Sequence, residues 1–390
     1  MNRSNQAGGL ARYLQNIVPV SFELETATEF HLVGTGPARF RMKLKNELPR
    51  RELLRSTSLA LGEAYMRGDI ELDRDLYEVL DLFMGSMDRF KVNESALYSL
   101  LHTSQSPKNQ KREVTSHYDI GNDFYSLWLD ETMSYSCAYF RHESDSLFTA
   151  QVAKTDHILE KLQLKEGQTL LDIGCGWGFL MKRAVYRYGV QGTGITLSRE
   201  QYQKLSEEIR EEHLEDRLQV YLMDYRELAT KGWQFDRVVS VGMLEHVGRG
   251  HYGRFLEAAG NVLKPGGLFL LHYISAQKEH SGDPWIRKYI FPGGVIPSLR
   301  EIIQLLPDHD FHTLDVESLR RHYTRTLQCW RANFLTHRAQ IETKFGEEFA
   351  RMWELYLAAC AASFHNGVVD LHQLLLSRGI NNELPMTRTV

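Results

Sequence analysis

The stretch LLDIGCGWG, residues 170–178, constrains this chain more than any other: an apolar run gives way to Gly174, Gly176 and Gly178. FLMKRAVYRY follows with helical spacing as far as Gly189, so the whole reads as strand, tight turn and helix. Glycine in such a turn admits positive φ and lets the backbone come close to a ligand. The GxGxG spacing departs from the dinucleotide fingerprint, whose third glycine comes one residue later, where the helix packs beside a bound pyrophosphate. Asp172, just ahead of the first glycine, can accept hydrogen bonds from turn amides or from a bound amine.

The same alternation continues downstream. VQGTGIT reads as a second strand and SREQYQKLSEEIREEH as a second helix, with Ser198 and Gln201 spaced as in a capping box. RLQVYLM, FDRVVSV and GLFLLHYI supply further strands of the buried type. Strands alternating with helices at this spacing imply an α/β fold, a parallel sheet with helices on both faces. Upstream, the polar stretch Thr103–Arg112 reads as an exposed linker. It divides the chain into a small N-terminal domain (1–92), a linker (93–112) and a larger domain (113–390). In the small domain RFRMKLK alternates strictly, with Arg39, Arg41, Lys43 and Lys45 on one strand face and Phe40, Met42 and Leu44 on the other. Four like charges on one face repel, so they call for water, as on an ordinary solvated sheet, or for an anionic partner such as lipid headgroups. RRELLRSTSLALGEAYMRGDIEL then reads as helical up to a turn at Gly68-Asp69.

Composition narrows the classes. Lys and Arg number 46 against 50 Asp and Glu, a net charge of -4 that argues against a dedicated nucleic-acid binder. Nowhere do 18 uncharged apolar residues run together, so no bilayer-spanning helix is expected, and the N-terminus lacks a signal-peptide pattern. The cysteines, Cys137, Cys175, Cys329 and Cys360, lie far apart without a CxxC, which points to a reducing compartment, the cytosol. The histidines show no HExxH or comparable spacing, so no metal site is expected.

A strand followed by D-x-G-x-G-x-G resembles motif I of the class I S-adenosylmethionine-dependent methyltransferases. Asp224, at the end of RLQVYLMD, matches the acidic position such enzymes place near the adenine, and VLKPGG before the last apolar strand is a turn common in that fold. One departure stands out. The second strand ends GITLS rather than with the acidic residue that usually holds the ribose hydroxyls, so Thr196, Ser198 or Gln201 would have to replace it. The resemblance implies a Rossmann-like, mostly parallel seven-stranded sheet. It also places cofactor contacts at Tyr135, Ser136, Leu197 and Tyr225, besides Asp172 and the three glycines.

Four further segments, SHYDIGNDFYSLWLDETMSYSCAYF (residues 116–140), GITLSREQ, SVGMLEHVG and FPGG (residues 291–294), together resemble the cyclopropane-fatty-acyl-phospholipid synthases. The likeness runs from LGEAYMRGDIEL to the C-terminal helices around Phe364-His365-Asn366. It implies transfer of a methylene from S-adenosylmethionine across a cis double bond of a phospholipid acyl chain, with a bound bicarbonate ion as the base. The family's anion pattern can be matched residue by residue. Cys137 in YSCAYF falls at a backbone amide near the anion, and Glu245 in MLEHVG and His272 in LLHYI fall at the side-chain ligands. Ile274 contributes main chain, and Tyr323 in RRHYTRT is the remaining phenol.

That chemistry sets physical demands. An alkene is a poor nucleophile, so the activated methyl must be held in line with it at contact distance. The carbocation that follows requires a dry, apolar site. Aromatic faces stabilise a desolvated cation by roughly 1–2 kcal/mol, and rings abound around residues 118–140 and 285–291, though any single one reads more readily as core. The resemblance further implies a small N-terminal α+β lipid-binding domain, peripheral attachment to the inner face of the cell membrane, an unsaturated phospholipid drawn from the bilayer, and a homodimer. YIFPGGVIPS reads as a mobile lid or as a rigid turn. Two other readings stand beside this one: a methyltransferase that stops at a methyl or methylidene product, and a non-catalytic lipid binder on a degenerate scaffold. The latter predicts damaged cofactor motifs, whereas DIGCGWG is complete.

Overall fold

The computed structural model describes residues 10–15, 20–86, 120–280 and 282–387; the linker expected over 93–112 lies outside the described residues. Contacts gather the chain into two units. One comprises Met1–Leu101, Gly282–Ile290 and Leu327–Val368, the other His102–Ser281, Phe291–Thr326 and Val369–Val390. This partition follows packing, whereas the division at 93–112 follows the course of the chain.

In the first unit β1 (Phe22–Thr26), β2 (Phe30–Val33), β3 (Arg41–Leu44) and β4 (Ile70–Leu72) form a sheet in the order β2-β1-β3-β4. Strand β3 keeps the expected alternation, burying Met42 and Leu44 with Phe22, Leu24 and Phe40 and turning Arg41 and Lys43 outward. The repulsion expected on the outward face does not arise. Arg41 Nε lies 3.0 Å from Glu23 Oε2, Lys43 Nζ 3.5 Å from Glu25 Oε1, and Lys45 Nζ 2.6 Å from Glu71 Oε1. The register causes this, because Glu23 and Glu25 on β1 stand directly opposite Arg41 and Lys43. Each exposed pair contributes only about 0.2–1 kcal/mol, but together they turn a basic face into a mixed one.

The expected helix after Pro49 is two, α1 (Arg50–Arg55) and α2 (Thr57–Met66). Ser56 breaks it with an extended backbone, and its hydroxyl caps α2 by accepting from the Leu59 amide at 3.3 Å. Helix α3 (Leu76–Gly85) and the long helix Glu347–His365 complete this layer, the latter packing on α2 and α3. Trp285 and Tyr289 belong here too. Trp285 Nε1 donates to Met66 Sδ at 3.2 Å, and Tyr289 Oη to Glu63 Oε1 at 2.9 Å. These two rings, grouped by sequence with the reacting site, are thus committed to packing against α2.

The second unit contains a seven-stranded sheet among the described residues: β5 (Thr169–Ile173), β6 (Gln191–Thr196), β7 (Leu218–Leu222), β8 (Phe235–Val241), β9 (Leu263–Ser275), β10 (Phe311–Ser318) and β11 (Asp370–Arg378). Their order is β10-β11-β9-β8-β5-β6-β7, parallel from β7 to β9, with β11 antiparallel to both neighbours. Between β8 and β9 the register jumps from Phe235↔Leu263 to Arg237↔Leu268, so the KPGG residues bulge out of the ladder opposite Asp236.

Both faces of the central strands are buried, and successive residues supply opposite cores. On β9, Phe269, Leu271 and Tyr273 pack with α7 (Tyr252–Val262), labelled after α4 (Leu147–Lys161), α5 (Phe179–Tyr188) and α6 (Arg199–Glu211). Leu268 and Leu270 pack with the other core, formed by Ile158 and Leu162 beside α4, Met181 on α5 and Leu205 on α6. Period-two alternation therefore carries Leu170 and Asp172 on β5, and Leu270 and His272 on β9, to one face.

Gly178 caps α5 at φ +85, and a Cβ there would lie 2.3 Å from Leu205 Cδ1. Strain and overlap together predict that Gly178→Ala costs about 2–4 kcal/mol in urea denaturation, and that adding Leu205→Ala recovers part of that loss.

Candidate active site

Strand order reverses between β5 and β8, and in open α/β sheets ligands bind at the carboxyl ends of strands flanking such a switch. A cleft of about 1200 Å³, open mouth included, lies there. Its floor is the turn after β5, from Asp172 through Gly174, Gly176 and Gly178. Gly176 has φ +56 with open space where its Cβ would stand, so a side chain there would project into the volume a ligand needs. One wall follows β6 and carries Thr196, Leu197, Ser198 and Gln201; another carries Tyr225; a third carries Tyr135 and Ser136.

Asp224 does not line the cleft. Its carboxylate caps the following turn and is held by Arg226, with Nε to Oδ1 at 2.8 Å and Nη2 to Oδ2 at 2.5 Å. The capping box read at Ser198 is half present. Ser198 Oγ accepts from the Gln201 amide at 3.3 Å, but the Gln201 side chain turns away and accepts from Thr196 Oγ1 at 2.8 Å. Thr196, the proposed polar replacement at the strand end, is thereby fixed by its neighbours, since it also accepts from the Ser198 amide at 3.1 Å.

Asp172 is 3% exposed, and its Oδ1 has no hydrogen-bond partner. Burial pushes its carboxyl up to about 7, against the pull of Lys154. Lys154 is a residue that sequence reasoning missed. It projects from α4 into the same cleft, is 3% exposed, and donates to Ser136 Oγ at 3.0 Å. Burial pulls its ammonium down to about 8, while Asp130, Cys137 and Asp172 oppose the shift. One turn earlier Gln151 donates to the Ser134 and Ser136 carbonyls at 3.2 and 2.9 Å, so α4 positions the Tyr135-Ser136 wall. The signal was present as polar residues recurring at helical spacing, Gln151, Lys154, His157 and Lys161, in a segment outside the elements read from sequence.

The matched anion residues fall on adjoining elements of the same unit. Glu245, in a short turn after β8, is 9% exposed; its Oε1 accepts from the Ile274 amide at 2.6 Å and its Oε2 is buried without a partner. Burial pushes this carboxyl up to about 7. Of the Ile274 main chain, expected at the anion, the amide is thus engaged in holding Glu245. His272, two residues earlier on β9, is 1% exposed, with Nδ1 3.1 Å from Gln373 Nε2 and Nε2 buried without a partner. Burial drives its imidazole down to about 3, aided by Lys154 and Lys161, so it is neutral.

Ile274 pairs with Leu371 on β11, whose carbonyl accepts from the Leu319 amide at 2.9 Å. The Leu319 carbonyl in turn accepts from the Tyr323 amide, on α8 (Arg320–Thr336), at 3.1 Å and lies 3.8 Å from Cys137 Sγ. Burial pushes the Cys137 thiol far up, which keeps it neutral and unsuited to nucleophilic attack. Behind it, the Ala138 amide donates to Thr326 Oγ1 at 3.0 Å and the Phe140 amide to His322 Nδ1 at 3.0 Å.

His246, beside Glu245, also lines the cleft, and burial pulls its imidazole down to about 4. The FPGG turn is tied against this region by a bond from the Val295 amide to the Glu245 carbonyl (3.1 Å) and one from the Ala276 amide to the Pro297 carbonyl (2.9 Å). Rings from residues 120–140 do gather at the cleft: Tyr135 lies 5.6 Å from Tyr125 and 5.2 Å from Trp128, and Tyr125 lies 5.4 Å from Trp177.

Comparison with known proteins fits this geometry. The family model described as mycolic acid cyclopropane synthetase matches residues 105–374, and that of a domain of unknown function matches residues 12–95. The chain is 40% identical over 384 residues to the cyclopropane-fatty-acyl-phospholipid synthase of Escherichia coli, covering 95% of each chain. It is 37% identical over 338 residues to a probable fatty acid methyltransferase of Pseudomonas putida, covering 84% of this chain and 85% of that one. The crystal structure of mycolic acid cyclopropane synthase CmaA1 complexed with SAH and CTAB superposes with a TM-score of 0.64 at 34% identity, covering 68% of this chain and 98% of that one. The chain belongs to the cyclopropane-fatty-acyl-phospholipid synthase family, enzymes of the S-adenosylmethionine-dependent methyltransferase fold.

Proposed function

We propose that this enzyme transfers a methylene from S-adenosylmethionine across a cis double bond of an unsaturated acyl chain in a membrane phospholipid, with a bound bicarbonate ion as the proton acceptor. The observation that carries the reading is the pair of buried polar atoms without partners, Glu245 Oε2 and His272 Nε2. Leaving either unpaired costs about 1–3 kcal/mol, and a small anion bearing a hydroxyl satisfies both. Glu245 accepts the hydroxyl proton, and His272 donates to the charged oxygen. Bicarbonate, when bound, supplies a base for the proton of the transferred methyl. Cys137, Ile274 and Tyr323 complete the surroundings, with Ile274 acting through Glu245.

In the cleft, Asp172 receives the cosubstrate's ammonium group, while Thr196, Leu197, Ser198 and Gln201 face its ribose. Asp224, turned toward Arg226, reaches the adenine end only if that pair opens. Residues 1–92 serve as the lipid-binding domain, 93–112 as linker and 113–390 as the catalytic domain. No helix of the described residues is long and apolar enough to cross a membrane. Attachment to the inner face of the cell membrane from the cytoplasm is peripheral, and two copies of the chain associate as a homodimer. On the small sheet, Phe30 and Leu32 are more than half exposed, and the register places them beside Glu25 and Glu23 on the face of Arg41 and Lys43. An apolar edge beside mixed charge suits reversible surface contact better than a purely basic patch does.

The test is incubation of the protein with S-adenosylmethionine and vesicles of unsaturated phosphatidylethanolamine, in carbonate-depleted buffer and with bicarbonate restored. Acyl chains should gain one methylene in mass and lose their olefinic protons, faster with bicarbonate. A product that keeps its olefinic signals identifies a methyltransferase that stops earlier. Glu245→Gln should lower turnover by about 10²-fold or more with cosubstrate affinity nearly unchanged; equal losses in both would remove Glu245 from the anion.

Cosubstrate binding should also depend on pH through Asp172. Its carboxyl is raised to about 7, so the ionised form that attracts an ammonium is lost as pH falls through 7. Affinity read by calorimetry should weaken about tenfold per pH unit below that point, and Asp172→Asn should give weak, pH-independent binding. The sign for stability is opposite. Raised folded-state values for Asp172 and Glu245 make the unliganded protein lose stability between about pH 4 and pH 7 as pH rises.

A further inference from the structure

On one face of the second unit, five side chains from four elements are joined by short polar contacts. Lys161, at the end of α4, is 5% exposed, and its Nζ lies 2.5 Å from Glu317 Oε2 on β10 and 3.0 Å from Gln373 Oε1 on β11. Gln373, fully buried, stands directly opposite His272 in the β11–β9 register, and its Nε2 lies 3.1 Å from His272 Nδ1. His157 Nε2, one turn earlier on α4, reaches Glu317 Oε2 at 2.7 Å. Burial alone would raise Glu317, but bonds from His157 and Lys161 outweigh it and hold the carboxyl down at about 2.

The chemistry of these groups allows one arrangement of protons. A lysine ammonium has three donors and no acceptor, so the Gln373 atom facing Lys161 must be the carbonyl oxygen. The opposite orientation would set an amide NH2 against an ammonium inside the protein. With its oxygen so engaged, Gln373 presents N–H to His272, and Nδ1 must accept. A neutral imidazole that accepts at Nδ1 carries its proton at Nε2. Nε2 is the ring atom buried without a partner in the site described above.

We infer that Lys161 and Gln373 are positioning residues that fix His272 as its Nε2–H tautomer, so that a neutral imidazole presents a donor to the anion. This rests on the bicarbonate reading for its use, though the tautomer stands without it. Lys161 acts at second hand, by setting which end of Gln373 faces the ring. With the opposite tautomer, Nε2 would present a lone pair toward the anion and repel it.

The test uses the full-length protein labelled with 15N-histidine, with the His272 signal assigned by its loss in His272→Gln. Long-range 15N–1H correlation distinguishes the tautomers, and in the unaltered protein Nε2 should carry the proton. Gln373→Glu keeps an acceptor for Lys161 but offers a carboxylate to the ring, and should shift the proton to Nδ1. That variant should raise the bicarbonate concentration needed for half-maximal turnover at least tenfold while leaving the KM for S-adenosylmethionine within twofold. Lys161→Met should give a mixture of tautomers, and thermal melting of each variant separates these effects from loss of fold. An Nδ1–H signal in the unaltered protein, or an unchanged Nε2–H signal in Gln373→Glu, overturns the inference whatever the activity. If instead the tautomer shifts as expected but turnover never depends on bicarbonate, the anion reading fails and the positioning stands.

Discussion

Taking a carboxylate out of water costs several kcal/mol even after a protein relaxes around it, and the second unit buries one at Asp172 and another at Glu245, each with one oxygen lacking a hydrogen-bond partner. The arrangement depends on what offsets that cost. Lys154 supplies an opposing charge to Asp172 from α4, and the same ammonium and that of Lys161 depress the basicity of His272. Asp172 and His272 are therefore both under the field of one helix, although different strands carry them. The ligand groups we propose carry charges that complement this field: an ammonium at the carboxylate, an anion at the neutral imidazole.

The geometry of that unit follows from period-two strands buried on both faces. Because Asp172 and His272 continue rows begun by Leu170 and Leu270, their position on the α4 face is set by the packing of the apolar residues before them. A slip of one residue in either strand would bury its polar group in the opposite core. The hydrophobic core thus fixes the register, and the register delivers the polar atoms.

Much of this was legible in the chain. The apolar runs ending in DIGCGWG, GIT and SVG mark parallel strands because such strands have no solvated face, and Cys137, Glu245, His272, Ile274 and Tyr323, matched by resemblance, fall on adjoining elements of one unit. Strands β10 and β11 were not read. In β10 exposed residues interrupt the apolar pattern, and in β11 the LLL run, following a helical segment, gives no period of its own. The lysines on α4 escaped because a helical lysine is ordinarily solvated, and nothing local reveals that Glu317 and Gln373 fold over Lys161. The charged face of RFRMKLK was read correctly as alternation and incorrectly as unopposed, since Glu23, Glu25 and Glu71 become its neighbours only through strand pairing.

Strand β11 enters the sheet between β9 and β10, although it is the last of the described strands in sequence. During synthesis the chain up to β10 can assemble the parallel core and the cleft beside it, yet the slot between β9 and β10 stays open until residues 370–378 leave the ribosome. Until then the edge of β9 is unpaired, a surface prone to association with other chains. His272 also lacks Gln373 at its back. The His272–Gln373 pair thus forms only after the cleft can, and a chain truncated before β11 would carry the cleft with the His272 ring unsupported.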